Sequence, residues 1–250
     1  NGILLYPDGE PRFRMIYVNG GLATKHGNSL TPEGRDNIRK FIENGGSYVG
    51  SCAGMFMASN GVYNEGKEYT PNKSYLSIWP GTTAESWLDN SYTTVKFPKD
   101  SPLLKYYDFG GDLKIDSLRH CNGGYAYYGE GSIMPEGTEP LVRYVYDTVS
   151  VDAKTRNLHD QVCTWAYKKN EESGRIVITG SHPEIPGVGE RLELMAAMMR
   201  YAMDGNGAVT VKGDLIPGEV RQMNRSTEDK DPLFTKIGDR QYHHFTVEIP

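Results

Sequence analysis

The chain has 250 residues, with 27 Lys and Arg against 32 Asp and Glu, a net charge of −5 and a pI near 5.7. That balance argues against a protein that grips nucleic acid through phosphate neutralisation, and no apolar run approaches the ~20 residues a membrane-spanning helix needs. Three cysteines are too few, and odd in number, for a disulfide scaffold. The length suits one large α/β domain or two small ones.

The chain begins at Asn1 with no Met and no signal-peptide pattern after it, so the expectation is a processed or truncated start. Its wealth of Tyr, Asn, Gly and Ser favours an exported bacterial protein over a cytoplasmic one. Ile3–Tyr6 and Arg12–Val18 read as strands around the turn-like Pro7-Asp8-Gly9-Glu10-Pro11. The second run ends in Asn19-Gly20-Gly21. A helix start follows, with Thr31 as N-cap, Pro32 at N1 and Glu33 in the first turn. Ile38, Phe41 and Ile42 give that helix an apolar stripe, and Gly45-Gly46 stops it.

Ser47–Ser51 reads as a buried strand, and Ala53–Ala58 as a helix opening on a tight turn. Strand, loop, helix, strand, turn, helix is the alternation of a doubly wound sheet, mainly parallel, with helices on both faces. Residues 61–140 are rich in Tyr, Gly, Ser, Pro and Asn, which predicts hairpins and loops. Leu141–Tyr146 and Val162–Tyr167 resemble a pair of strands, and Arg175–Gly180 another. Gly189–Met203 is the clearest helix, with Leu192, Met195, Ala196, Met199 and Ala202 on its apolar face. Beyond Gly205 the composition turns polar, and Phe245, Val247 and Ile249 alternate as a final strand would. The partition is a domain at 1–205 and an extension at 206–250 packed on it.

The sharpest motif is Gly50-Ser51-Cys52-Ala53-Gly54, lying between a predicted strand and a predicted helix. It has the G-x-nucleophile-x-G pattern of an elbow that lifts a reactive side chain above the sheet edge, and the helix start favours the thiolate. A lone cysteine is more often buried and inert. The two flanking glycines and the strand–turn–helix context favour the nucleophile.

A thiol attacking a carbonyl needs a base and a group to orient it. Ser181-His182-Pro183-Glu184 follows a predicted strand end, and in extended backbone residues 182 and 184 face the same side. The bland reading is an exposed loop His beside a solvated Glu, but ligands bind at strand ends in open α/β sheets. Amides of the Gly20-Gly21 turn and of Ala53 are candidate oxyanion donors.

Together these segments, across about residues 12 to 205, resemble the class I glutamine amidotransferase-like superfamily. His120-Cys121-Asn122-Gly123-Gly124, with the elbow, is most similar to its biotin–protein ligase N-terminal domain family. The resemblance implies a flavodoxin-like three-layer sandwich with a mainly parallel sheet and a Cys52–His182–Glu184 triad. It also places the Asn122-Gly123-Gly124 loop beside the nucleophile, with Tyr125 next along. It further implies a strand and helix ahead of the Gly-Gly strand, for which the residues before Arg12 leave too little room.

Glutaminase members usually carry Gln where Phe56 stands, so glutamine hydrolysis is not expected; nor is ligation, since the chain contains no G-R-G-R-x-G adenylation loop. The function expected is a cysteine hydrolase or amidotransferase-like protein, cleaving an amide or related acyl bond of a small molecule or peptide, without cofactor or metal. A binding or regulatory module that keeps the fold, and a cysteine peptidase, stay open beside it. Gly61–Glu68 nearly spells a P-loop, but Glu68 replaces the Mg²⁺-binding hydroxyl, so a glycine-rich loop is the better reading. His243 and His244 would face opposite sides of a strand and read as surface residues. Cys163 reads as core. Cys121 could pair with Cys52 or simply pack, and Tyr125, Tyr127 and Tyr128 could line a pocket or cover a sheet edge.

Overall fold

A computed structural model describes residues 3–63, 71–129, 133–146, 148–151, 154–185, 188–205 and 207, with the backbone of 234–237 and 240–243. The chain divides into two units, 1–210 and 211–250. In the second, Phe234–Ile237 and Arg240–His243 form an antiparallel hairpin. The strand expected at 245–249 lies outside the described residues.

The first unit opens with β1 (Met15–Val18), later than the sequence suggests. Residues 3–6 form no strand; Leu5 makes an isolated bridge to Pro11. A short helix that the sequence did not announce, α1 (Ala23–Ser29), follows without a side-chain cap. Next comes α2 (Pro32–Glu43), built as its sequence predicts: the Thr31 hydroxyl accepts from the Gly34 amide at 3.1 Å, and Pro32 occupies the first turn. A cap of this kind is worth about 1 kcal/mol. Ile38, Phe41 and Ile42 are buried, and full burial of a side chain such as Phe41 stabilises by about 2–3 kcal/mol.

The strand β2 (Ser47–Ser51) runs straight into α3 (Ala53–Ala58). Then come β3 (Gly61–Tyr63), β4 (Thr82–Glu85), β5 (Ser91–Lys96), β6 (Lys114–His120), β7 (Gly124–Tyr127) and β8 (Thr138–Tyr144). A small hairpin of β9 (Thr148–Val151) and β10 (Lys154–Asn157) precedes β11 (Val162–Tyr167) and β12 (Ile176–Thr179), and α4 (Glu190–Asp204) closes the unit. The described part of residues 61–140 is therefore strands and loops with two 3₁₀ turns, as its composition predicts.

The main sheet runs β1-β2-β12-β11-β8-β5-β6. Only the β1–β2 and β2–β12 pairs are parallel; β12–β11, β11–β8, β8–β5 and β5–β6 are antiparallel. The mainly parallel sheet expected from the sequence is thus corrected to a mixed one. Parallel neighbours need a long crossover, usually helical. Helices fill that role only around β1 and β2, whereas β5, β6, β8 and β11 are joined by loops, 3₁₀ turns and a hairpin.

Alternation along β2 and β12 divides the interior. Val49 and Val177 pack on one side with Leu194, Ala197 and Met198 of α4, while Tyr48, Ile176 and Ile178 pack on the other with Phe41 of α2 and Met55 of α3. The buried face of α4 is Leu194, Met195, Ala197, Met198, Tyr201 and Ala202. It is rotated from the expected stripe, and Leu192 is 47% exposed.

The sheet also curls. At the end of β6, Arg119 forms an isolated antiparallel bridge with His182, just past the end of β12.

Candidate active site

Cys52 occupies the single residue between β2 and α3, at φ 48°, ψ −104°. A non-glycine residue held there costs of order 1–3 kcal/mol. Its amide donates to the Thr179 carbonyl at 2.9 Å. Both elbow glycines are required by close approach. A Cβ on Gly54 would run into the Val18 carbonyl oxygen, and one on Gly50 would stand 2.7 Å from the Gly54 carbonyl carbon. The buried Tyr48 hydroxyl donates to the Gly54 carbonyl at 2.8 Å, fixing the turn from below.

His182 is buried, and its Nδ1 lies 2.9 Å from Glu184 Oε1. The nearby Cys52 thiol, and then Glu184, push the imidazole up to about 10, against the opposing effect of burial. Nε2 is buried and meets no hydrogen-bond acceptor of regular geometry among the described residues. The thiol therefore acts on the ring by close approach rather than through a well-formed hydrogen bond. Burial raises Glu184, but the His182 hydrogen bond and further donors outweigh it and hold the carboxyl below its ordinary range.

Gly20 lies directly against this pair. A Cβ there would collide with the His182 ring and stand 3.4 Å from Cys52 Cβ. Gly21, at φ +144°, is backed by His26, whose Nε2 would be 2.6 Å from such an atom. Ala53 is fully buried at the first turn of α3. Among the described residues neither the Gly21 nor the Ala53 amide donates to a loop or turn carbonyl.

The segment 120–124 arrives from β6. The Cys121 carbonyl accepts the Cys52 S–H at 3.5 Å, and the Asn122 amide donates to the Leu88 carbonyl at 2.9 Å. Gly123 and Gly124 cross the end of β12 at Gly180 with no room for side chains. A Cβ on Gly123 would land in the Gly180 carbonyl, and one on Gly180 in the Gly124 carbonyl. Phe56, where a glutaminase would carry Gln, is buried, and its ring would stand 3.0 Å from a Cβ on Gly124.

A family model described as biotin-protein ligase, N terminal, matches residues 9–203. The chain belongs to this family. Two solved structures share its fold. A glutamine amidotransferase is 16% identical over 77% of this chain and 79% of its own, with a TM-score of 0.50. A protein described as ThuA-like, from Bacteroides uniformis, is 14% identical over 80% of this chain and 74% of its own, also at 0.50. No curated protein matches the sequence. Identities this low speak to the α/β, amidotransferase-like fold alone.

Two polar residues at the site were not found from the sequence. Ser51 Oγ donates to Glu184 Oε1 at 3.2 Å, and the Tyr17 hydroxyl lies 2.8 Å from Ser51 Oγ. Ser51 had appeared only as the variable position of the elbow, and Tyr17 only as part of a strand. Their one sequence signal is a hydroxyl in each of two apolar runs.

The other candidates occupy packed or surface positions. Tyr125 is buried in the core, Tyr127 stacks on Tyr63 at 4.0 Å, and Tyr128 is exposed. Cys163 is fully buried, and burial pushes its thiol up to about 12. His120 is buried with Nδ1 3.2 Å from the Leu118 carbonyl, and burial lowers it to about 3. Gly61–Tyr63 of the near-P-loop is β3, and the rest of that motif lies outside the described residues. His243 ends a strand and His244 lies outside the described residues. Among the described residues no group of three or more His, Cys, Asp or Glu is placed to hold a metal. No described helix is long and apolar enough to cross a membrane.

Proposed function

We propose that this domain is a cysteine-nucleophile hydrolase or amidotransferase-like enzyme that cleaves an amide or related acyl bond. The observation that carries the reading is Cys52 at a positive-φ elbow beside the paired His182 and Glu184. In the reading, the Cys52 sulfur forms a bond to the substrate carbonyl carbon, and the proton from the thiol rests on His182 Nε2. Gly20, Gly21 and Ala53 supply backbone amides toward the oxyanion, the kind of preorganised donor that is worth most in a dry site. His182 then hands its proton to the leaving nitrogen as the C–N bond breaks. Water attacks the thioester, giving its proton to the imidazole, and the carboxylate product leaves as the thiol is restored. Glu184 keeps the ring oriented throughout. The Asn122-Gly123-Gly124 segment would contact the acyl side of the substrate.

Phe56 fills the place of a glutamine-binding amide with an apolar ring, so the proposed substrate is not glutamine. The test is covalent labelling by a panel of electrophilic amide and peptide probes, with Cys52→Ala as the blank, followed by hydrolysis assays on the amides that label. Labelling with turnover, both lost in Cys52→Ala, supports the enzyme. Labelling without turnover of any amide points instead to a binding module, and preference for extended peptide probes to a peptidase.

A further inference from the structure

We infer that Tyr17 and Ser51 are positioning residues that anchor Glu184, so that the carboxylate can hold His182 in register with Cys52. The inference rests on the enzyme reading above and adds two residues to it. It starts from strand register. Parallel pairing of β1 with β2 sets Tyr17 beside Val49 and Val18 beside Gly50, and pairing of β2 with β12 sets Ser51 beside Thr179. Alternation then turns Tyr17 and Ser51 to the same face of the sheet. Glu184 reaches that face from the segment just beyond Thr179.

The hydrogen bonds run in one direction. Burial, and then the Glu184 carboxylate, raise the Tyr17 phenol above its ordinary range, so it keeps its proton. Ser51 accepts from Tyr17 at 2.8 Å and has one proton to give, which goes to Glu184 Oε1 at 3.2 Å. Glu184 Oε1 also accepts from His182 Nδ1 at 2.9 Å. Oε2 is buried and has no partner among the described residues. Besides the imidazole, the carboxylate is held by its own backbone amide and by the Ser51 hydroxyl. An orienting group needs an anchor independent of what it orients, and Ser51 is the side chain that supplies one, itself held by a phenol.

The relay makes a prediction that simple packing does not. Removing the Ser51 donor withdraws a hydrogen bond from the charged carboxylate, so Glu184 should titrate higher. Removing the Tyr17 hydroxyl should do less, because Ser51 remains. Once Ser51 is gone, losing Tyr17 should add little, since its effect passes mainly through the serine.

The experiment follows the side-chain ¹³C resonance of Glu184 between pH 3 and 7 in the wild type, Tyr17→Phe, Ser51→Ala, the double variant and Ser51→Thr. In parallel, the rate of Cys52 alkylation by iodoacetamide is measured across pH. We expect the Glu184 midpoint to rise by about half a pH unit in Ser51→Ala, less in Tyr17→Phe, and no further in the double variant. Alkylation of Cys52 should slow by about tenfold in Ser51→Ala, with both effects reversed in Ser51→Thr. An unchanged Glu184 midpoint in a folded Ser51→Ala protein, or strictly additive effects of the two single changes, would overturn the proposal. The NMR titration needs no turnover, so its outcome is separate from the fate of the enzyme reading. If no amide is hydrolysed but the midpoint moves as expected, the relay stands and the enzyme falls.

Discussion

The amide of His182 donates to the Arg119 carbonyl at 2.8 Å, joining the last strand of the sheet to the residue proposed as the base. The Arg119 side chain turns the other way, reaching Asn90 at 3.0 Å and Tyr92 at 3.1 Å. One residue thus presents its backbone to the site and its guanidinium to the surface. The antiparallel half of the sheet, which the sequence did not foretell, thereby positions the histidine as directly as the parallel half positions Cys52.

Of the three cysteines, Cys52 should be alkylated ahead of Cys163 in the native protein. Cys163 is fully buried with its thiol raised to about 12, whereas Cys52 lies beside the imidazole. Limiting iodoacetamide at neutral pH followed by peptide mapping checks this. Native-state labelling of Cys163 in preference to Cys52 would contradict the assignment of the nucleophile.

Glutamine should not be turned over. A site that lacks a required polar partner loses its substrate steeply, because buried polar groups on the substrate go unpaired. The measurement is ammonia release from glutamine against Cys52→Ala. Turnover at ordinary enzymatic rates, abolished in that variant, would restore the glutaminase reading despite Phe56.

His182 should make stability pH-dependent in a definite window. Its ordinary value is 6.5 and its folded value about 10. A raised pKa contributes stability that is complete below the unfolded value and is lost as pH climbs through the folded one. Urea midpoints of the wild type should therefore fall between pH 6.5 and 10 relative to His182→Gln. Parallel curves for the two proteins over that window would show that the imidazole is not coupled to Cys52 and Glu184 as described.

The crossing of Gly123 over Gly180 should tolerate no side chain. Gly123→Ala is expected to cost about 3 kcal/mol, at the upper end for overpacking, because the new atom meets backbone that cannot yield. Gly111→Ala is the control. That glycine has a positive φ, +79°, which Gly123 does not, and open space around it, so only the conformational cost of about 1–2 kcal/mol applies. Equal losses in urea denaturation would remove the steric argument.

Two leucines on α4 separate the observed face from the expected one. Leu194→Ala should cost about 2–5 kcal/mol and Leu192→Ala less than about 0.5 kcal/mol. The reverse order would mean that the helix is turned as the sequence first suggested.

The elbow, the Thr31-capped helix and the His182–Glu184 pair were legible because each is a local signal of residue type at fixed spacing. The α4 face was misread because Met195 and Ala202 belong to either stripe, and Leu192 is apolar yet exposed. The strand directions could not be read: 138–144 and 162–167 look alike whether a helix or a hairpin joins them, and pairing is decided by distant neighbours. Tyr17 and Ser51 stayed hidden for the same reason. They are 34 residues apart in sequence and meet only once β1 and β2 are in register.

The backbone at Cys52 bears on how such a protein drifts over generations. At φ 48° glycine would sit without the strain that cysteine carries there. A lineage released from the chemistry has a one-residue route to a relaxed turn, gaining roughly 1–3 kcal/mol from the backbone. On the enzyme reading, the chemistry of the thiol is what offsets that strain.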